Sequence, residues 1–306
     1  MILDIDPKVD YAFKRVYGRE ENCDVLESVL EAVLAETEFA EITDLEILNP
    51  FNERDTPDDK LSVVDVRARQ GSGEVFNVEM QFLPFKALPQ RLLYYWSVSH
   101  AAQLDKGNTY AKLKPTIVIC FADYDVFPGR TGYHSRFRVV DDAGNALCPD
   151  LEIHILELPK FPADPNSVVT PLDQWLFFLR EAKNIDPDHI PPCLTLPAIH
   201  KAIQELHMIS LNEADHELYE SRVKHWRDDQ ARLAEQREEG LSEGLSKGLS
   251  KGLSEGLSKG VILGRIQMLE SLLGLASSPI DLADSQSLEE LLRIETDLKA
   301  KSANRP

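Results

Sequence analysis

The spacing of apolar residues changes period several times along this chain, and each change marks an element. In KVDYAFKRVYG, residues 8–18, Val9, Phe13, Val16 and Tyr17 fall on one helical face and Gly18 supplies a stop. DVLESVLEAVLAE, 24–36, repeats that pattern with Val25, Leu26, Val29, Leu30 and Val33. EITDLEILNPF reads as a strand and NERDTPDDK as the polar loop behind it. The period then drops to two: SVVDVRARQGSGEVFNVEMQF, 62–82, predicts a β-hairpin closed by Gly71-Ser72-Gly73. A helix is expected over 87–105, with Pro89 near its start and Gly107 past its end. The apolar run PTIVICFAD and the alternating HSRFRVVDD and LEIHILEL supply further strands. Elements in that order predict a mixed α/β domain over residues 1–165.

From Pro171 onward the pattern is helical. LDQWLFFLREAKN has a wide apolar face, on which Trp175, Phe177 and Phe178 read as core, and DPDHIPPC breaks it. One or two helices follow up to residue 239, and their later part, HWRDDQARLAEQREE, is polar all round, as a solvated or coiled-coil helix would be. Residues 166–239 thus form a helical region. GLSEGLSKGLSKGLSEGLSKG, 240–260, has a strict period of four, inside a repeat segment taken to 264. A helix turns about 100° per residue, so successive leucines drift by about 40°, and a partner following them needs a right-handed supercoil. Glycine at every fourth position costs about 1 kcal/mol each in a lone helix. Two readings stay open, a flexible tether or a helix formed against a partner. SLEELLRIETDLKAK, in a tail over 265–306, is one more amphipathic helix.

Charge and cysteine usage narrow the function classes. With 52 acids against 33 bases the formal charge is −19, which argues against a general coat for DNA or membranes, because phosphate rewards cations. Any nucleic-acid contact must come from a local basic surface or a metal. Cys23, Cys120, Cys148 and Cys193 lie far apart with no CxxC pair, which fits reduced thiols in a cytoplasm better than a disulfide framework or a zinc ribbon. MILDIDPKVD lacks the basic and apolar regions of a signal peptide. No apolar run approaches the ~18 residues of a membrane span.

The candidate chemistry lies on the hairpin. Side chains alternate between faces in a strand, so Val64, Val66, Ala68, Phe76, Val78, Met80 and Phe82 make an oily side. Asp65, Arg67, Arg69, Asn77, Glu79 and Gln81 make the other. A three-residue turn sets Gln70 opposite Glu74 and Asp65 opposite Glu79. Facing carboxylates destabilise a strand pair unless something neutralises them. Arg67 is one candidate, in a surface ion cluster on a solvated sheet face. A divalent ion is the other, since Mg²⁺ is commonly held by one or two carboxylates, waters and phosphate.

Asp65, Glu79 and Gln81 on a strand hairpin flanked by helices resemble the Asp-x(n)-Glu-x-Lys core of PD-(D/E)XK nucleases, in an Asp…ExQ variant. Together VDYAFKRVYG, VDVRARQGSGEVFNVEMQ and RLLYYWS resemble the Rpn family, whose members are recombination-promoting nucleases or PD-(D/E)XK transposases. The likeness covers residues 5–160, and a repetitive Gly-rich C-terminal region often ends such chains. The fold it implies is a restriction-endonuclease-like core with a mixed sheet flanked by helices, followed by a helical C-terminal region. The activity it implies is Mg²⁺-dependent (or Mn²⁺-dependent) hydrolysis of DNA phosphodiester bonds, linked to recombination or transposition. In that reading Asp65 and Glu79 hold the metal, with the Met80 carbonyl as a backbone ligand. Gln81 replaces the usual lysine, and an amide carries no charge and takes no proton, so it would only orient water. Asp10 is a further ligand, or orients one, or is a helix N-terminal charge favoured by the dipole. Lys14 touches phosphate or pairs with Asp10.

A DNA-facing surface is expected just after the hairpin, where Lys86, Arg91, Lys106, Lys112 and Lys114 stand against Asp105 within residues 84–122. Arg91, in RLLYYWS, is the leading phosphate contact, with Lys14 and Lys86 beside it. One of Tyr94 and Tyr95 is expected in the core, since adjacent helix positions diverge by about 100°. GLSEG and GLSKG match the G-x-S-x-G elbow but lack its strand–turn–helix setting. The eight histidines include no HExxH cluster, and no Walker or dinucleotide loop is present. The reading is a cytoplasmic, metal-dependent DNA endonuclease that self-associates through its repeat and C-terminal helices. Its rival is a catalytically weak or dead nuclease fold acting as a DNA-binding or regulatory module, with the tail as an assembly scaffold.

Overall fold

The computed structural model of the chain describes residues 2–48, 65–105 and 107–303. The loop expected over 52–60, Val64, Lys106 and the end of the strand expected over 41–51 lie outside them. The chain divides into two compact units, Met1–Arg227 and Asp228–Pro306.

The first unit opens with helices α1 (Asp10–Tyr17) and α2 (Cys23–Leu34). Strands β1 (Glu46–Ile47), β2 (Val66–Arg69) and β3 (Val75–Gln81) come next, then helix α3 (Leu88–Ala101). Strands β4 (Thr116–Ala122), β5 (His134–Arg138) and β6 (Leu151–Glu157) lead to α4 (Pro171–Glu181) and α5 (Pro197–Leu211). Among the described residues the strands form one mixed sheet in the order β1-β2-β3-β4-β6-β5. β3, β4 and β6 run parallel, while β1–β2, β2–β3 and β5–β6 are antiparallel. The first strand is shorter than its apolar pattern predicts. Asp44 takes a φ of 52°, outside the extended region, so the strand starts only after it.

Period-two alternation divides the sheet between two cores. Ile117, Ile119 and Phe121 of β4 join Val66, Ala68, Phe76 and Val78 against α1, α2, α4 and α5. Val118 and Cys120 join Ile153 and Ile155 against Leu88 and Leu92 of α3. Helix α3 is the crossover between the parallel strands β3 and β4, and it roofs the second face. The polar side of the hairpin therefore faces a helix: Asn77 and Glu79 are buried, and Asn77 Nδ2 donates to Ser99 Oγ of α3 at 2.8 Å.

The helical stretch after residue 165 is part of the same unit. A capping box between Thr170 and Asp173, with Pro171 at the first position, starts α4. It buries Trp175, Leu176, Phe178 and Leu179.

Helix α6 (Glu213–Leu273) contains the whole Gly-Leu-Ser repeat. Its leucines, Leu241 to Leu257 at every fourth position, stay about two-thirds to three-quarters exposed. Within the second unit Ile262 and Ile266 pack with Leu291 and Leu298 of α8 (Leu288–Ala303), beside Leu282 of the short α7 (Leu282–Ser285). No helix among the described residues is long and apolar enough to cross a membrane.

Candidate active site

The site begins on α1. Burial of Tyr11, Phe13, Val16 and Tyr17 fixes the helix against the sheet. Asp10 and Lys14, one turn apart, then share a face, with Lys14 Nζ 2.7 Å from Asp10 Oδ1.

The hairpin brings two more acids. Its pairing, Val66 with Val78 and Ala68 with Phe76, places Asp65 level with Glu79, as the three-residue turn predicts. Gly73 makes that turn with a φ of 109°, a conformation that glycine adopts without strain. The contact between the acids is reciprocal. Asp65 N–H donates to Glu79 Oε1 at 3.1 Å, and Met80 N–H, next along β3, donates to Asp65 Oδ2 at 2.9 Å. Each carboxylate thus has one oxygen held by the other strand's main chain.

The electrostatics of this pair are unfavourable as the chain alone provides them. Burial, then the Asp10 charge, pushes the Asp65 carboxyl up to about 6, with Lys14 and the Met80 N–H pulling the other way. Burial, then the Asp65 charge, holds Glu79 well above the usual carboxylate range, against the opposing effect of Arg91. Lys14 Nζ stands 3.7 Å from Asp65 Oδ1. Burial works against its charge, but Asp65 and Asp10 outweigh that and keep the ammonium's pKa above its ordinary value.

This donor set suits a hard divalent cation. Two carboxylates of the hairpin, raised in pKa first by burial and then by neighbouring negative charge, are what Mg²⁺ or Mn²⁺ would relieve, with waters and a phosphate completing the shell. Among the described residues no group of three or more His, Cys, Asp or Glu side chains is placed to hold a metal, so Asp10, Asp65 and Glu79 do not form a three-carboxylate cage.

Gln81, two residues beyond Glu79, has both ends of its amide engaged. Its Nε2 donates to Leu83 O at 2.8 Å, and its Oε1 accepts from Arg91 Nη2. The Arg91 guanidinium also lies over the rings of Phe85 and Tyr95, 5.0 and 5.6 Å from their centroids. Arg91 is therefore a clamp on Gln81 at the edge of the site as well as a cation. Lys86 is exposed in the loop before α3. Neither adjacent tyrosine is core: α3 buries Leu88, Leu92 and Ser99, which leaves Tyr95 half-buried and Tyr94 60% exposed.

Other groups at this end of the sheet have no local sequence signal. Arg222, early in α6, lies close enough to bear on the Lys14 charge. Trp226 meets Phe82 edge-on at 4.5 Å between centroids, and Lys8 sits 5.4 Å over the Phe82 ring while pairing with Asp123 at 3.3 Å. On the far strands, a chain of contacts joins His134 Nε2 to His154 Nδ1 at 2.7 Å and His154 Nε2 to Glu152 Oε1 at 2.7 Å. Arg136 Nη2 donates to Glu152 Oε2 at 2.8 Å. His154, isolated in the sequence, is thus the middle of a buried polar network.

Comparison with curated proteins and with solved structures returns no match. A family model, that of the PD-(D/E)XK nuclease family transposases, matches residues 7–236. The mixed sheet flanked by helices fits the α/β fold that name implies. The match runs from just before α1 well into α6, across the hairpin with its paired carboxylates and the helices laid on the sheet, and the chain belongs to the PD-(D/E)XK nuclease family transposases.

Proposed function

We propose that the chain is a metal-dependent endonuclease that hydrolyses DNA phosphodiester bonds at the Asp65–Glu79 pair. The observation that carries this reading is the reciprocal main-chain clamp, which holds a buried Glu79 and a partly buried Asp65 side by side at a cost in charge repulsion. A structural role gives no reason to keep that repulsion, whereas a cation-binding role does. Asp65 and Glu79 would hold Mg²⁺ or Mn²⁺, with the Met80 carbonyl as a main-chain ligand. When bound, such an ion supplies Lewis acidity and offsets charge on the phosphate. The chain's own groups do the rest. Asp10 holds Lys14 in place, Arg91 keeps Gln81 fixed at the rim, and Lys14, Arg91 and Lys86 provide positive charge for the DNA backbone.

The test is plasmid nicking by purified protein with Mg²⁺ or Mn²⁺. Cleavage that disappears in Asp65→Ala and Glu79→Ala supports the site, and cleavage that survives both substitutions refutes it. One observation favours the second reading, a DNA-binding or regulatory module of low activity: Gln81 is uncharged and already bonded at both ends. DNA binding without cleavage in either metal would select it. The exposed leucines of the repeat support self-association of the chain through α6.

A further inference from the structure

The motif this chain resembles places a lysine where Gln81 stands, and Gln81 is bonded to Leu83 O and to Arg91. Arg91 itself lies over the rings of Phe85 and Tyr95. The position that should bring a mobile cation to the two acids therefore brings none. A different cation stands there. Lys14 Nζ is 3.7 Å from Asp65 Oδ1, beyond direct hydrogen-bond length, and 2.7 Å from Asp10 Oδ1. An ammonium has three N–H donors, and the one bond to Asp10 leaves donors for a phosphate oxygen or a water at Asp65. The side chain is 21% exposed, so it is neither sealed in the core nor loose in solvent. It projects from a helix whose other face is locked by Tyr11, Phe13, Val16 and Tyr17, which is how a fold holds a functional group in place.

The bland account is an i,i+4 ion pair, worth about 0.3–0.5 kcal/mol on a helix surface. That account covers Asp10 and Lys14 but not the approach to Asp65, which comes from the hairpin, 51 residues further along the chain.

Resting on the nuclease reading above, we propose that Lys14 takes the place of the motif's missing lysine, its ammonium contacting the scissile phosphate beside Asp65 while Asp10 orients it. Lys14 stays protonated in this role, so it acts by charge and hydrogen-bond donation and not as a base.

The experiment compares Lys14→Met and Lys14→Arg with the parent in two measurements, with thermal melting to confirm folding. In EDTA, duplex binding is followed against salt concentration. Loss of one phosphate contact lowers the slope of log K on log salt by about one, so Lys14→Met should show that change and Lys14→Arg should not. In Mg²⁺ or Mn²⁺ at saturating DNA, Lys14→Met should cleave at least about 100-fold more slowly, and Lys14→Arg should recover most of the rate, in line with the size of a single transition-state charge contact. An unchanged slope, or a Lys14→Met rate within about threefold of the parent, overturns the inference while leaving the nuclease reading intact. No cleavage by the parent in either metal overturns that reading and the inference with it.

Discussion

Asp65 and Glu79 hold each other by main-chain hydrogen bonds: the amide of Asp65 grips the Glu79 carboxylate, and the amide after Glu79 grips that of Asp65. Both acids are therefore set by the hairpin's backbone register, so removing one charge should leave the other in place.

Asp65→Asn tests this directly. The amide oxygen can still accept from Met80 N–H, so the fold survives. The folded-state pKa of about 6 lies above the usual carboxylate value, so between about pH 4 and 6 the native protein binds the extra proton and stability falls as pH rises. The loss approaches about 3 kcal/mol at neutral pH. Asp65→Asn should accordingly raise Tm by a few degrees over the parent at pH 7.5, show no such gain near pH 4, and abolish cleavage. Melting curves at the two pH values check it.

Adding metal should act with the opposite pH dependence. Mn²⁺ binds ionised carboxylates, so millimolar Mn²⁺ should raise the parent's Tm at pH 7.5 and much less at pH 5, where it competes with a proton on Asp65. The shift should vanish in Asp65→Asn. An equal shift in both proteins would place the ion elsewhere.

Arg91→Met removes the clamp on Gln81 and the charge that opposes the upward shift of Glu79. Weaker metal binding is not expected, because a cation near the site repels the ion. Mn²⁺ affinity measured by calorimetry should stay equal or tighten, while DNA affinity falls and the salt slope drops by about one.

The His134–His154–Glu152–Arg136 network predicts a separate pH response. Burial, then the charges of His154 and Arg136, pushes His134 down to about 4. The unfolded chain then binds the extra proton between about pH 6.5 and 4, so this stability is present above about 6.5 and is lost as pH falls through that window. Its slope is opposite in sign to that of Asp65, so each is read from the difference between parent and variant. His134→Asn should flatten this part of the curve. Glu152→Ala leaves Arg136 and His154 without their buried partner and should cost about 3–5 kcal/mol in chemical denaturation.

Deleting residues 240–306 should convert a self-associated chain to a monomer by light scattering. An unchanged mass would remove assembly from the role of the repeat.

The hairpin was legible because two constraints agreed: side-chain parity fixes the face, and a three-residue turn fixes the register. Hence Asp65 and Glu79 were paired correctly from spacing alone. What covers that face was not legible. The polar pattern reads as solvated, yet α3 roofs it, because Asn77 finds Ser99 and a buried polar group needs only one such partner. Arg222, Trp226 and the His134–His154 contact depend on pairs of elements distant in sequence or on strand order, and neither leaves a periodic trace. The packing of the apolar face of α4 against α2 joins elements distant in sequence in the same way.

The repeat in α6 has one last consequence. Four residues advance a helix by about 6 Å and turn it by about 400°, so each Gly-Leu-Ser unit gained or lost re-aims the leucine stripe by about 40° against the helical hairpin that follows it. Copy number in this stretch works as an angular dial. Chains differing by a single unit would present mismatched stripes to one another, and assembly between them should favour copies of equal count.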